Sequence, residues 1–145
     1  MFKSLSYATV LAVVAGVSIA HAEPVKLDLI EHAGVVEAID AAPEGDSVGD
    51  YLSFSGDIFA ADNTTKLGTD SGFCMRVVKG ARYECTWTVA LADGQIMIAG
   101  PFLDAGDSML AITGGTGAYK AVRGEMLLHA RDTTGTQYDF KLRIE

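Results

Sequence analysis

The stretch TWTVALADGQIMIAG, residues 86–100, decides the fold class of this chain. Two apolar runs flank the pair Asp93-Gly94. This pair is typical of a two-residue hairpin turn, because both turn positions need a positive φ that Asp and Gly tolerate. Neither run shows the 3.6-residue apolar spacing of a helix. The stretch therefore predicts two antiparallel β-strands joined by a tight turn.

The same succession of short apolar runs and turn residues extends over the rest of the chain. No segment beyond residue 40 has a helical apolar stripe, which indicates an all-β domain. Eight strands with tight turns form either a sandwich or a closed barrel, and a barrel of this size leaves room for one small ligand. Residues 33–41 are compatible with a short helix or with an extension of the first strand. The predicted strands lie near residues 25–32, 49–60, 67–78, 82–92, 95–101, 109–113, 121–130 and 137–144.

The size and charge of the chain limit its function. Its 145 residues allow one ordinary domain. With 19 Asp and Glu against 11 Lys and Arg, the formal net charge is −8. An acidic chain without a basic cluster is a poor nucleic-acid binder, and it lacks the basic patch that draws proteins to anionic lipid. We therefore expect no nucleic-acid partner.

Residues 1–22 contain the three parts of a cleaved secretory signal peptide in the usual order. Lys3 supplies the positive charge, residues 7–20 form an uncharged and largely apolar run, and residues 20–22 (Ala-His-Ala) match an A-x-A cleavage site. No later segment approaches the roughly 18 apolar residues of a membrane span. We expect a secreted or periplasmic protein with one domain, residues 23–145, in an oxidising compartment.

Cys74 and Cys85 are the two cysteines of the sequence, and the register of a predicted hairpin brings them together. If residues 79–80 form a two-residue turn, Cys74 lies opposite Cys85. Directly opposed residues have Cβ atoms close enough for a disulfide, and export favours oxidation. This interpretation predicts a structural bridge. The alternative is that one thiolate lines a pocket as a reactive group.

Other catalytic signatures are weak. His32 and His129 are the histidines beyond residue 22, they lie far apart, and no metal-ligand motif accompanies them, so we predict no metal site. The run Gly-Gly-Thr-Gly at residues 114–117 lacks the Lys-Ser/Thr of a phosphate loop and predicts a tight corner between strands. The Gly-x-Ser-x-Gly elbow is missing as well, which disfavours a hydrolytic serine.

Two charged residues lie within strand segments that are otherwise largely apolar. Glu31 lies on the first predicted strand. Arg123 shares one face of a late strand with Glu125, Leu127 and His129, by the two-residue period of a strand. Periodicity alone favours a charged face in water. The alternative turns this face into the barrel, where Arg123 needs a carboxylate partner.

Several motifs resemble those of the allene oxide cyclase family, and they follow the family order over nearly the whole chain beyond residue 22. The last of them, continued as Val-Arg-Gly-Glu at residues 122–125, is also similar to the plant dirigent proteins. The resemblance implies an eight-stranded antiparallel β-barrel with an apolar cavity, usually assembled as a homotrimer. The motifs are residues 48–54 (VGDYLSF), 68–74 (GTDSGFC), 93–96 (DGQI), 100–102 (GPF) and 111–119 (AITGGTGAY).

The function that this resemblance implies is guidance of a reactive small molecule. Allene oxide cyclases close a cyclopentenone ring from an unstable fatty-acid epoxide, and dirigent proteins orient phenoxy radicals or help quinone methides form. Neither needs a metal or organic cofactor, so the resemblance implies none here. The physical basis is orientation in a dry cavity, with a few polar groups aimed at developing charge. We expect a secreted cyclase or isomerase acting on a hydrophobic small molecule, or alternatively a non-catalytic binding or structural barrel.

The resemblance also implies a set of site residues. Cys74 falls on the cavity cysteine of the cyclases, Phe54 on their pocket phenylalanine and Glu31 on their pocket glutamate. Arg123 falls on a pocket tyrosine of the cyclases and on the pocket arginine of dirigent proteins, which favours an inward-facing Arg123. Glu31, Arg123 and Cys74 are therefore the candidate catalytic residues. Phe54 and Trp87 are expected to shape the wall of the pocket.

The sequence departs from the cyclase pattern at two positions. Ala33 stands where the cyclases carry a water-holding asparagine, and Cys85 stands where they carry a small residue. A disulfide between Cys74 and Cys85 removes the free cysteine of the cyclase pattern, and export does not fit plastid chemistry. We therefore expect a substrate other than an allene oxide.

Overall fold

The computed structural model describes residues 23–145, and the predicted signal peptide, residues 1–22, lies outside this range. Each strand pairs antiparallel with its neighbour in sequence, and the last strand returns to the first, which closes the barrel. The prediction of an all-β, eight-stranded antiparallel barrel is therefore confirmed, and the sandwich alternative is wrong. The strands are β1 (Val25–Ile39), β2 (Tyr51–Ala60), β3 (Lys66–Val78), β4 (Arg82–Leu91), β5 (Gly94–Leu103), β6 (Ser108–Gly115), β7 (Gly124–Ala130) and β8 (Gln137–Ile144).

The two-residue alternation of each strand fills the interior of the barrel. On β8, for example, Phe140, Leu142 and Ile144 are buried, while Lys141 and Arg143 between them are exposed. Burial of each large apolar side chain contributes roughly 1.5–3 kcal/mol. Side chains from all eight strands form one core, which includes Leu29, Ile58, Val89, Ile96, Ile98, Leu110, Ile112, Met126 and Leu128. Among the described residues, no helix is long and apolar enough to cross a membrane.

The two predicted hairpin turns lie where the sequence placed them, with local differences. In the first, Leu91 pairs with Gly94, so residues 92–93 form the turn and Gly94 begins β5 with a φ of +156°. In the second, Val78 pairs with Arg82 across residues 79–81. A β-bulge before Val78 absorbs the extra residue and restores the predicted register further along the hairpin.

The first strand is longer than predicted. It continues to Ile39, so residues 33–39 extend the strand and the helix alternative is wrong. A register shift between Ala33 and Val35 interrupts its pairing with β2. Because the shift inserts one residue, the interior-facing positions of β1 change from odd-numbered to even-numbered. Glu31 and Ala33 line the interior before the shift, and Val36 lines it after the shift.

The predicted strand at 121–130 is shorter than expected and faces the other way from the favoured interpretation. A short 3-10 helix, Gly117–Tyr119, precedes it, and β7 begins only at Gly124. Met126 and Leu128 are buried inside the barrel, so Glu125 and His129 lie on the outer face. Arg123 is exposed and donates a hydrogen bond to the carbonyl of its neighbour Val122.

The prediction that Arg123 faces the cavity is therefore wrong. The apolar face of β7 fills the core, and a buried guanidinium there would need a carboxylate partner to offset its desolvation. The solvated-face interpretation, which periodicity alone favoured, is the one that the structure bears out.

The predicted bridge between Cys74 and Cys85 is confirmed. The two residues face each other on β3 and β4, and their sulfurs form a disulfide. Both are buried in the core. Cys74 therefore has no free thiol, and the alternative of a reactive Cys74 thiolate does not hold in this structure.

Replacing both cysteines, as Cys74→Ala/Cys85→Ala, is expected to destabilise the barrel by about 2–3 kcal/mol, because the bridge closes a short loop in the unfolded chain. Urea unfolding of the variant and the wild type measures this difference. Reductant is expected to lower the stability of the wild type and to leave the variant unchanged. A wild type that takes up alkylating agent on both cysteines without reduction would contradict the bridge.

Candidate functional site

A cavity of about 120 Å³ lies inside one end of the barrel. Its wall is apolar apart from Glu31 and the phenol of Tyr138. A volume of this order holds about one aromatic ring. The lining residues come from seven of the eight strands and one loop: Glu31, Ala33, Val36, Leu52, Phe54, Cys74, Trp87, Phe102, Leu128, Gly135 and Tyr138.

Glu31 is one of two carboxyl groups that the fold buries side by side. It lies on β1, paired with Ile58 and Tyr138 on the flanking strands, and it is 5% exposed. Asp70 lies on β3 and is 2% exposed. Strand β2 separates them, and at the position between them it carries Gly56, which pairs with Asp70.

The absent side chain of Gly56 leaves the space in which the two carboxyl groups meet. A Cβ atom at Gly56 would lie 2.8 Å from Asp70 Oδ1 and 3.1 Å from Glu31 Oε1. Both carboxyl groups therefore approach the same point above β2. Any larger residue at this position would push them out of place.

The carboxyl pair is buried without a basic partner. In the part of the chain that the structure describes, neither oxygen of Asp70 has a hydrogen-bond donor. A protonated Glu31 supplies a hydrogen-bond donor to Asp70. Two adjacent carboxyl groups in a low-dielectric site also cannot both ionise without a large cost in free energy. The arrangement therefore favours one proton held between Glu31 and Asp70.

The pKa values of both groups follow from this arrangement. Burial, and then the nearby charge and hydrogen bonding of Asp70, raise the pKa of Glu31 to about 8. Burial also raises the pKa of Asp70, to about 6. Glu31 is therefore the group of the pair that keeps its proton at neutral pH. It is also the member that lines the cavity.

Four aromatic rings follow one another along the cavity wall. Phe54 lies 5.1 Å from Trp87, Trp87 lies 6.5 Å from Phe102, and Phe102 lies 6.2 Å from Tyr138, measured between ring centroids. Tilted and edge-on rings at these distances attract one another. The rings form a continuous aromatic surface beside Glu31. Burial, followed by the charge of Glu31, raises the pKa of the Tyr138 phenol, so this group remains a hydrogen-bond donor.

The cavity opens toward a wider groove of about 550 Å³ between the β5–β6 and β7–β8 loops. Phe102, Leu128, Gly135 and Tyr138 line both spaces. The cavity and groove together are large enough for a ligand of several rings.

Arg76 joins two loops at the same end of the barrel. Its Nε lies 2.8 Å from Oδ1 of Asp46 in the β1–β2 loop, and it also forms an ion pair with Asp104 in the β5–β6 loop. Its guanidinium stacks 3.7 Å from the ring centroid of Tyr83. Two carboxylates thus compensate the one charge of Arg76 and link it to both loops.

The structure brings four of the five predicted site residues together. Glu31, Phe54, Cys74 and Trp87 all line the cavity, whereas Arg123 lies outside the barrel. Cys74 contributes its buried disulfide to the wall and offers no nucleophile.

Sequence reasoning missed Asp70 and Tyr138. A signal for Asp70 was present, because residues 70 and 74 share one face of a strand by the two-residue period. An inward Cys74 therefore implies an inward Asp70. Tyr138 carried the same kind of signal, because it shares one face of the last strand with the apolar residues Phe140, Leu142 and Ile144.

Comparisons with solved structures agree with the barrel. The chain is similar to a pyocyanin demethylase, at 28% sequence identity and a TM-score of 0.70, over 81% of this chain and 99% of that one. It is similar in fold to a pterocarpan synthase dirigent protein, at 17% identity and a TM-score of 0.69, over 86% and 97% of the two chains. An exo-specific intermolecular Diels-Alderase matches at 14% identity and a TM-score of 0.69, over 83% and 96%.

The family assignment rests on the sequence itself. The family model of allene oxide cyclase matches residues 27–141, which span nearly all of the barrel from β1 to β8. The motifs that carry the resemblance and the closed eight-stranded topology agree with this match. The chain belongs to the allene oxide cyclase family.

Proposed function

We propose that this barrel is an exported isomerase or cyclase that orients a conjugated, ring-containing small molecule and moves one proton at Glu31. The observation that carries the proposal is the buried pair of Glu31 and Asp70 at an otherwise apolar cavity. Such a pair costs folding free energy, because it buries charge without a cation. A costly polar group that lines a cavity is a candidate for a chemical role.

Glu31 has the protonation state that an acid catalyst needs. With a pKa of about 8 it is protonated at neutral pH, yet close enough to neutrality to give the proton up. It donates the proton to a ligand oxygen, such as that of a carbonyl or epoxide, while a bond of the ligand closes or shifts. A proton lost from another position of the ligand then returns to Glu31. These two proton transfers leave the atomic composition of the ligand unchanged, as an isomerisation requires.

Asp70 acts through Glu31 and is a positioning residue. It does not line the cavity, and its charge keeps the proton on its neighbour, Glu31.

The aromatic wall of the cavity orients the ligand, which is the second part of the proposed function. Planar faces that stand beside Glu31 hold a conjugated ligand in a limited set of poses and exclude water, and both effects lower the barrier of a step within one molecule.

The relatives support this class of function. The pyocyanin demethylase, the pterocarpan synthase dirigent protein and the Diels-Alderase have names that describe conversions of ring-containing small molecules. Membership of the allene oxide cyclase family adds a ring closure as the reaction type of the family name.

Proton transfer at Glu31 is tested with 5-nitrobenzisoxazole, a neutral bicyclic aromatic probe. A base removes its C3 proton, the N–O bond breaks, and a coloured phenolate is released. We expect the folded protein to accelerate this elimination, with a rate that rises with pH and levels off above about pH 8, as Glu31 ionises. Glu31→Gln is expected to lose at least about tenfold of the acceleration.

The control variant is Glu125→Gln, which removes a carboxylate from the outer face of β7 and should keep the full rate. Asp70→Asn should move the midpoint of the pH profile downward, because it removes the negative charge that raises the pKa of Glu31. If the probe quenches the fluorescence of Trp87 but is not turned over, the proposal fails and a binding barrel is the better account.

The same pKa shift predicts a pH-dependent stability. The pKa of Glu31 is raised from 4.5 to about 8 on folding, so between these values the folded state binds more protons than the unfolded state. The contribution of Glu31 to stability is therefore complete below pH 4.5 and is lost as the pH rises through about 8. Glu31→Gln removes this loss. We compare the free energies of unfolding of the variant and the wild type. From about pH 5 to about pH 9, we expect their difference to shift in favour of the variant by on the order of 3 kcal/mol.

Urea unfolding of the two proteins at both pH values measures the gain. Glu125→Gln again serves as the control, and its stability should follow that of the wild type. A Glu31→Gln variant whose stability differs from that of the wild type by the same amount at both pH values would contradict the raised pKa of Glu31.

A further inference from the structure

We infer that the cavity binds a planar aromatic ligand that carries a cationic nitrogen. This inference names the substrate class of the site and rests on the proposed function. It is drawn from the polar groups of the cavity, from the aromatic wall and from the charges at the mouth.

The carboxyl pair beside the cavity carries a charge that has no counterion. With one proton between them, Glu31 and Asp70 hold one negative charge, and both are at least nine-tenths buried. No Lys, Arg or His of the described chain lines the cavity. An unpaired buried charge costs several kcal/mol, and a ligand cation placed beside it removes much of that cost. A ligand carboxylate would add a second buried negative charge.

The aromatic wall favours the same kind of ligand. Phe54, Trp87, Phe102 and Tyr138 present ring faces or edges to a space about one ring wide. A cation near the face of Trp, Tyr or Phe is attracted by the ring quadrupole, and the attraction grows when water is excluded. A flat heteroaromatic cation meets the stacking surface and the carboxyl pair at the same time.

The mouth of the site repeats the negative charge. Asp104 and Asp132 line the groove outside the cavity. Hydrogen bonds from Thr134 and Thr136 of its own loop hold the pKa of Asp132 well below its usual range, so this group is ionised at neutral pH. Arg76, the cation buried nearby, is compensated by two carboxylates. The field at the entrance therefore attracts cations and repels anions.

The dimensions set how the ligand lies. The cavity of about 120 Å³ takes one ring, and the groove of about 550 Å³ takes the remainder. Because Glu31 lies in the cavity and Tyr138 lies where cavity and groove meet, the cationic ring is the part that enters. The long acyl chain of a fatty acid is not the shape that this short cavity and wide groove accommodate.

Three bicyclic aromatic probes of nearly equal size test the inference on the whole barrel domain near neutral pH. They are N-methylquinolinium, a cation; quinoline, which is neutral; and 1-naphthoate, an anion. Calorimetric titration gives the affinity, and quenching of Trp87, the one tryptophan of the sequence, places the probe in the cavity. We expect the cation to bind at least about tenfold more tightly than quinoline, which corresponds to about 1.4 kcal/mol, and the anion to bind most weakly.

The variants assign the preference to the buried pair. Glu31→Gln/Asp70→Asn should reduce the cation preference to less than about threefold and keep the affinity for quinoline. Glu31→Gln alone keeps the charge of Asp70 and should keep most of the preference, which assigns it to the charge of the pair. Glu125→Gln removes one negative charge as well, but from the outer surface, and should keep the full preference.

Three results would overturn the inference: 1-naphthoate or quinoline binding as tightly as the cation, an unchanged preference in Glu31→Gln/Asp70→Asn, or an equal loss in Glu125→Gln. The proposed function is judged separately by the elimination of 5-nitrobenzisoxazole. If Glu31-dependent elimination occurs without a cation preference, only the substrate class is wrong. A cation preference without elimination would instead leave a binding site for cations and remove the catalytic role.

Discussion

Two carboxyl groups buried against each other, without a cation, are the constraint on which this site depends. Glu31 and Asp70 come from strands that are not neighbours, and they meet across Gly56 of the strand between them. In the low dielectric of a barrel interior they are forced to share a proton. That shared proton keeps Glu31 protonated at neutral pH and leaves one negative charge on the pair.

The fold makes room for this pair and for the aromatic wall by omitting side chains. A Cβ atom at Gly56 would occupy the meeting point of the two carboxyl groups. One at Gly72, the next inward position of β3 after Asp70, would lie 2.6 Å from Cζ of Phe54. Missing side chains on two adjacent strands thus create part of the cavity, while the opposite end of the barrel is closed by packed aliphatic residues. One barrel therefore combines a solid core with a hollow end.

The sequence was sufficient to predict the barrel, because period-two alternation and tight turns are local signals. The facing of Cys74 and Cys85 followed from a single hairpin, and the bulge that the structure adds does not change their register. Glu31 was found through the family resemblance, and its place in the cavity agrees with it.

The predictions that failed depended on knowing which alternate residues of a strand face the interior of the barrel. For Arg123, the alternation of inward and outward residues on β6 does not continue into β7. A 3-10 turn and Ala121, with a φ of +74°, intervene before β7 begins. For Asp70, the inward direction followed from Cys74 on the same face of β3. A buried aspartate without a basic partner nevertheless goes against the usual exposure of acidic residues. Its burial is a property of the closed barrel, in which strands β1 and β3 bring their inward side chains together.

The most direct measurement is a carbon-13 NMR titration of the carboxyl carbons of glutamate and aspartate in the folded protein. Glu31→Gln and Asp70→Asn identify the two signals by their loss. We expect one glutamate carboxyl to remain protonated at neutral pH and to titrate near pH 8, with a smaller response at the Asp70 carbon in the same range. Titration of every glutamate close to 4.5, the ordinary value for this side chain, would contradict the shared proton and with it the account of the site.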